Sequence, residues 1–350
     1  MKFSNFLFPE SRTPADDARI IDETLDEARL TDQLGYDVIW LAEHHFDGIC
    51  AYVDPIAFAA ALAVTTTHAS IGFAVAQMAL HHPIRMAEQI ALIDNLCKGR
   101  LIVGLGRGTA YNIYDYQGFG IDHTEAQARF EEAEAIMLEA WKGEPFEHHG
   151  RFFDLKLPML RPIPFTRPHP YVIRAAATEH GMRDIARQGR PFMMNVQSNA
   201  ETARRMGLYR ADLRDTGMAD AAIEATMDQC WVWRNVCVAD TDAEAERIAV
   251  PAFHAMQEWR AAMRQRVYAE QGVSIVPMPP PDSAPPARTV IEHSLVYGSP
   301  ATVAEKLAAL REIGVGGLII QFRLGPMSYE DTARSLTLFR DQVMPALRPA

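Results

Sequence analysis

Short apolar runs alternate with amphipathic stretches along this chain, and that alternation restricts its fold more than any single residue does. Residues 2–8, 36–41, 71–78, 100–105, 171–176, 192–196, 230–238 and 317–322 read as buried strands. Helical patterns separate many of them. Residues 14–34 carry Ile20, Ile21, Leu25 and Leu30 on one face and close at Gly35, residues 55–66 are Ala-rich, and residues 83–96 open on Pro83. Further helices are expected over 125–141, 300–313 and 329–347. Eight β→α alternations call for parallel strands joined by crossover helices. The expected fold is therefore α/β, a (β/α)8 TIM barrel with insertions, which leaves no sheet edge; a doubly wound sheet is the alternative.

The 350 residues are 48% hydrophobic, enough for a large core, and a barrel of about 250 residues forms one unit, so a single domain over 1–350 is expected. The net charge of −11 speaks against nucleic-acid or anionic-membrane partners, which need a basic footprint. The longest apolar run, residues 56–64, falls far short of the about 18 needed to span a bilayer. The N-terminus has one lysine and is interrupted by Asn5, Pro9 and Glu10, a poor signal peptide, so a cytoplasmic location is expected. Cys50, Cys97, Cys230 and Cys237 form no C-x-x-C pair and read as reduced thiols. Residues 143–170 suggest a small hairpin and an extended connector. About residues 265–294 the rhythm fails: six of the ten residues between Pro277 and Pro286 are proline, which excludes a helix or central strand. That stretch is either a solvated linker or a lid over the barrel mouth.

In a parallel barrel, chemical groups gather beyond the C-terminal ends of the strands. The second strand exits into Glu43-His44-His45, where a carboxylate can orient a histidine that holds or releases a proton; an ordinary hydrogen-bonded pair is the alternative. The third exits through Ala74, Val75 and Gln77 toward His81 and His82. The fourth exits into Gly104-Leu105-Gly106-Arg107-Gly108, which lacks the G-x-G-x-x-G spacing of a dinucleotide fold. Arg107 offers a fork that matches phosphate oxygens, with a surface ion pair as the alternative. The fifth exits into Ala176, Ala177 and Thr178, a turn with a hydroxyl and free backbone N–H groups. The sixth exits through Asn195 and Gln197. No metal site is expected, because H-E-x-x-H is absent and adjacent histidines diverge. Met193 and Met194 read as core or pocket wall.

Taken together, the opening MKFSNFLF, the segment VIWLAEHHF, the span SIGFAVAQMALHHPIRMAEQIALIDNLCKGRLIVGLGRG and the tail VYGSPATVAEKLAALREIGVGGLIIQFRLG resemble the bacterial luciferase-like flavin monooxygenases, including the luciferase α subunit, an alkanal monooxygenase. The resemblance covers most of 1–190 and 294–348. It implies a barrel that binds reduced FMN at its mouth, supplied by a separate NAD(P)H:flavin reductase. It also implies reaction of the flavin with O2 to a C4a-hydroperoxide that oxygenates a small aldehyde, ketone, alkane or terpene. Position by position, His44 falls on the family's catalytic histidine and Glu43 on its neighbouring flavin-site acid. Arg107 falls on the phosphate-binding arginine, Ala176, Ala177 and Thr178 on the turn facing it, and Ala74–Val75 on a non-proline cis peptide beneath the ring. Asn195 is a further candidate flavin contact, and a homodimer is expected. Luciferase carries a reactive cysteine where this chain has Gly106, so light emission is not expected. An F420-dependent hydride-transfer enzyme on the same barrel and a non-catalytic flavin-binding protein are the alternatives.

Overall fold

The computed structural model describes residues 1–46, 48, 50–108, 112–196, 198–271 and 293–348. In chain order its strands are β1 (Lys2–Leu7), β2 (Val38–Leu41), β3 (Ser70–Phe73), the two-residue β4 (Ala76–Gln77), β5 (Leu101–Gly106), β6 (Phe146–His149), β7 (Asp154–Leu157), β8 (Tyr171–Ala176), β9 (Phe192–Met194), β10 (Trp231–Val238), β11 (Leu295–Gly298) and β12 (Gly317–Gln321). Parallel pairing runs β1–β2–β3–β5–β8–β9–β10–β12, and β12 returns to β1 with Lys2 opposite Gly317. The sheet thus closes into the expected eight-stranded barrel. Strand β11 adds to the C-terminal half of β10, from Asn235 opposite Leu295, while β6 and β7 form the antiparallel hairpin read from residues 143–170.

Helices α1 (Asp17–Gln33), α2 (Pro55–Thr65), α3 (Pro83–Leu96), α4 (Tyr114–Gln117), α5 (Ala126–Ala140), α6 (Glu179–Arg187), α7 (Asn199–Asp215), α8 (Asp220–Met227) and α9 (Asp242–Gln271) fill the connections, with Pro300–Glu312 and Tyr329–Leu338 near the C-terminus. Two expectations need correction. Residues 265–271 belong to the end of the 30-residue helix α9, so the irregular stretch starts later than its composition suggests. The proline-rich remainder, the expected linker or lid, lies outside the described residues. The helix expected over 329–347 is interrupted by a π-helical turn at Phe339–Val343 before Met344–Leu347, because Pro345 has no N–H to continue an α-helical ladder.

Large side chains fill the barrel, and glycines make room for them. Trp40 and Trp231 meet edge to face at 5.2 Å. A Cβ at Gly72 would come within 2.3 Å of the Trp40 ring, and one at Gly317 within 2.4 Å of Trp231. Phe6 and Trp233 pack at 4.6 Å, and Phe8, just past the end of β1, stacks near Phe6 at 5.8 Å. Gly104 is the tightest point: a Cβ there would lie 1.7 Å from the Phe73 carbonyl oxygen and 2.6 Å from Met193 Cε. Backbone cannot yield as a flexible side chain does, so this contact fixes how closely β3 approaches β5 beneath the mouth. Cys50, Cys97, Cys230 and Cys237 are buried and form no disulfide among the described residues, as expected of reduced thiols.

Gly104→Ala should therefore destabilise the fold by about 3 kcal/mol through overpacking against the backbone. Urea unfolding measures it; a change within about 0.5 kcal/mol, the range of an ordinary surface substitution, would show that β3 and β5 are not locked at this point.

Candidate functional site

At the exit of β2 the chain leaves the sheet but stays extended, so Glu43 and His45 turn to one side and His44 to the other. Glu43 is buried, and its Oε1 lies 2.8 Å from both His45 Nε2 and His81 Nε2. Its Oε2 accepts the backbone N–H of Gln77 at 2.6 Å, while the Gln77 side-chain amide donates to the Glu43 carbonyl at 2.8 Å. Glu43 N–H donates to the Val75 carbonyl. One carboxylate thus ties the β2 exit to the β3–β4 exit. Burial would raise its pKa, but His81 and His45, with the Gln77 N–H, hold it down to about 2. Burial depresses the two histidines, yet Glu43 outweighs it and raises both. Asp115 and Asn112 close the network from the segment after β5: Asn112 Nδ2 donates to the His45 carbonyl and to Asp115 at 2.9 Å, and His45 N–H donates to Asp115 at 3.2 Å.

The carboxylate expected to orient a histidine at this exit does so for His45 and for His81. His81 is bound to Glu43, while His82 occupies the N-cap position of α3 ahead of Pro83. Gln77, His81, Asn112 and Asp115 were not singled out for this network from the sequence. The available signal was polar residues set within apolar runs, which when buried must find partners.

His44 is half-buried and stands edge-on to Phe8, ring centroids 4.9 Å apart. Above Phe8 lies the Arg260 guanidinium of α9, 4.9 Å from the ring, which also donates from Nε to buried Glu10 at 3.2 Å. Burial raises the pKa of Glu10 against the opposing charges of Arg260 and Arg12. Helix α9, unforeseen because alanines make up much of its buried stripe (Ala245, Ala249, Ala252, Phe253, Met256), therefore reaches over the β1 exit beside His44.

On the other side of the mouth, Ala74 and Val75 are half-buried and the peptide between them is cis. A Cβ at Gly106 would meet Val75 Cγ2 at 2.5 Å, so the cysteine position of luciferase has no room for a side chain unless Val75 moves. Arg107 follows directly, half-buried, beside the Tyr116 hydroxyl, whose pKa is raised by burial against the arginine's charge. Strand register sets Leu105 opposite Arg174, which brings the Arg107 exit alongside the turn after β8. Arg107, Arg174, Ala175 and Gly181 line one cleft of about 420 Å³. In that turn Ala176 is buried while Ala177 and Thr178 are exposed. Thr178 is the N-cap of α6, its hydroxyl oxygen accepting the Gly181 N–H at 3.1 Å, so that hydroxyl is first a helix cap. Asn195 follows β9 and is exposed. At the same end of the barrel, Trp233 Nε1, Asn235 Oδ1 and Gln321 Oε1 are buried without a hydrogen-bond partner. Unmet polar atoms of both signs beside an aromatic wall suit a planar ligand with a polar edge, and an arginine lining the neighbouring cleft suits its phosphate.

The sequence model of the luciferase-like monooxygenases matches residues 1–317. The oxygenase component of the flavin-dependent trigonelline monooxygenase of Acinetobacter baylyi is 26% identical, over 99% of this chain and 95% of that protein. A monooxygenase structure from Streptomyces bottropensis superposes with a TM-score of 0.82 at 26% identity, covering 99% of this chain and all of that one. The oxygenating constituent of 3,6-diketocamphane monooxygenase from Pseudomonas putida, solved with FMN, shares the fold at a TM-score of 0.80 and 22% identity, over 99% of both chains.

The Glu43 network carries a definite pH signature. With its pKa lowered from 4.5 to about 2, Glu43 contributes stability that is full above about pH 4.5 and lost as pH falls through 2. His45 and His81, raised from 6.5, contribute stability that is full below 6.5 and lost as pH rises through their folded values. Urea melts should therefore show wild type losing stability as pH rises above about 6.5. Glu43→Gln should be about 3 kcal/mol less stable near pH 6 and should lose most of that alkaline slope; an unchanged slope would contradict the network.

Proposed function

The chain belongs to the luciferase-like monooxygenases, and from that premise we propose that it is the oxygenase component of a two-component system. In this reading it takes reduced FMN from a separate NAD(P)H:flavin reductase and, with O2, oxygenates a small organic substrate of the aldehyde, ketone, alkane or terpene class. The observation that carries the reading is the pairing, at one barrel mouth, of an Arg107 cleft walled by α6 with the half-buried His44 ring. The named chemistry of the Acinetobacter relative supports it.

Reduced FMN, when bound, supplies the activation of O2 that side chains cannot. The chain's residues would do the rest. Arg107 would hold the phosphate with its fork, helped by the free N–H groups and dipole at the start of α6 and by the Ala176, Ala177 and Thr178 turn. Ala74 and Val75 would support the ring, with Glu43 locking their loop from beneath rather than touching substrate. Asn195 and the buried polar atoms of Trp233, Asn235 and Gln321 would meet its polar edge. His44 would hold or pass a proton at an imidazole nitrogen. Phe8 and α9 would keep water from the reacting face. The proposed homodimer would bury the apolar face of α2 and α3, where Val64, Leu92 and Leu96 are 68%, 51% and 41% exposed.

Supplied with a flavin reductase, NADH, FMN and isotopically labelled O2, the protein should place one labelled oxygen atom in a member of those substrate classes. Reductase and FMN without the protein should not. Arg107→Ala should weaken FMN by about 1.5–3 kcal/mol while leaving riboflavin, which lacks the phosphate, nearly unchanged; equal weakening of both would remove the phosphate assignment. His44→Ala should still bind FMN but lose about 10²–10⁴-fold in product formation, and near-normal turnover by the folded variant would sink the proton role.

A further inference from the structure

Arg234 alternates with Trp233 and Asn235 along β10, so it turns away from the barrel interior into the helical layer. It is only 2% exposed. Its guanidinium donates to the Trp233 carbonyl at 2.7 Å, to Asn199 Oδ1 at 3.1 Å and to Thr202 Oγ1 at 3.2 Å, all neutral oxygens. Among the described residues no carboxylate pairs with it, and burial alone brings its pKa down to about 10. A buried cation without a counter-charge is costly. Three bonds also leave two of the five guanidinium N–H donors to be used.

The space in front of Arg234 explains that arrangement. A cavity of about 540 Å³ is lined by Ser198, Asn199, Arg234, His293, Tyr297 and Lys306, together with leucine and valine side chains. Three of these residues are basic and no lining residue is acidic, in a chain whose net charge is −11. Lys306 donates to the Tyr297 carbonyl at 2.9 Å and lies 4.8 Å from the ring of the same tyrosine. The 17-residue helix α7 begins at this wall. Its N-cap Ser198 takes the Glu201 N–H, and the Asn199 and Ala200 amides before it have no acceptor among the described residues. The Glu201 carboxylate turns aside to Arg204 and Arg205. Positive side chains, a positive helix end and unused N–H donors thus line the cavity together with apolar and aromatic groups.

We propose that this cavity is a second ligand site, which binds a small organic oxyanion by its phosphate or carboxylate head between Arg234, Lys306 and the start of α7, with an apolar or aromatic body against Tyr297 and the leucines. It shares no lining residue with the Arg107 cleft and lies behind β10 rather than above β5 and β8.

Calorimetric titration of the full chain with phenyl phosphate, benzoate and inorganic phosphate tests this. The Arg107→Ala variant serves as the background that removes the other arginine. Saturable one-to-one binding of phenyl phosphate or benzoate is expected in wild type and in Arg107→Ala, and the tighter of the two identifies the head group. Lys306→Glu, a change at an exposed position, should weaken that binding about tenfold or more, and Arg234→Gln should abolish it. The site is refuted if none of the three anions saturates. It is equally refuted if binding disappears with Arg107, or if it survives undiminished in Lys306→Glu. Should Arg234→Gln fail to fold by circular dichroism, Lys306→Glu decides alone.

Discussion

A buried carboxylate joins two strand exits in this protein, and the geometry of the barrel mouth depends on it. Strand alternation turns Glu43 inward from β2, where His45 follows on the same side and His81 and the Gln77 amide arrive from beyond β3. Three donors around one ionised group overcome the cost of burying it, and the same contacts hold both histidines toward their charged forms. Were Glu43 to release the β3–β4 loop, Ala74 and Val75 would lose the brace beneath them, and Arg107, packed behind Val75 through Gly106, would lose its reference point. The acid then serves the site by positioning, while His44, turned to the opposite side, is left facing the aromatic wall of Phe8.

Packing inside the barrel supports this from below. Tryptophans on β2 and β10 fill the interior only because glycines on β3 and β12 leave space, and Gly104 lets β5 approach the Phe73 carbonyl. Such contacts are unforgiving, so the strand ends that carry Val75, Arg107 and Asn235 are held in register by rigid material. Helix α9 completes the enclosure from the other side: Arg260 lies on Phe8 and pairs with Glu10, bringing charge and apolar surface together over the β1 exit.

Much of this was legible in the amino-acid sequence, and the reasons are local. Runs such as residues 171–176 combine β-forming and apolar residues between breakers, and the strand falls on those residues. Pro55 and Pro83 mark first helical turns, and both helices begin there. The strand-end reading set the Arg107 exit beside the β8 exit, and parallel register does leave those two strands side by side. What could not be read was side-chain partnership across the fold. Glu43 precedes His44 in the chain, yet alternation and the His81 approach give it other partners, and nothing in a linear string states which way an exit turns. Helix α9 was hidden by an alanine-rich stripe and by Pro251, and Arg234 by its place within a mainly apolar strand.

The central claim is that this mouth is built to receive reduced FMN. Anaerobic titration of the purified protein with reduced FMN and, separately, with reduced F420 tests it most directly. Saturable one-to-one binding of reduced FMN, with no comparable binding of F420, is the result the account predicts. Saturable binding of reduced F420 with none of reduced FMN would contradict it.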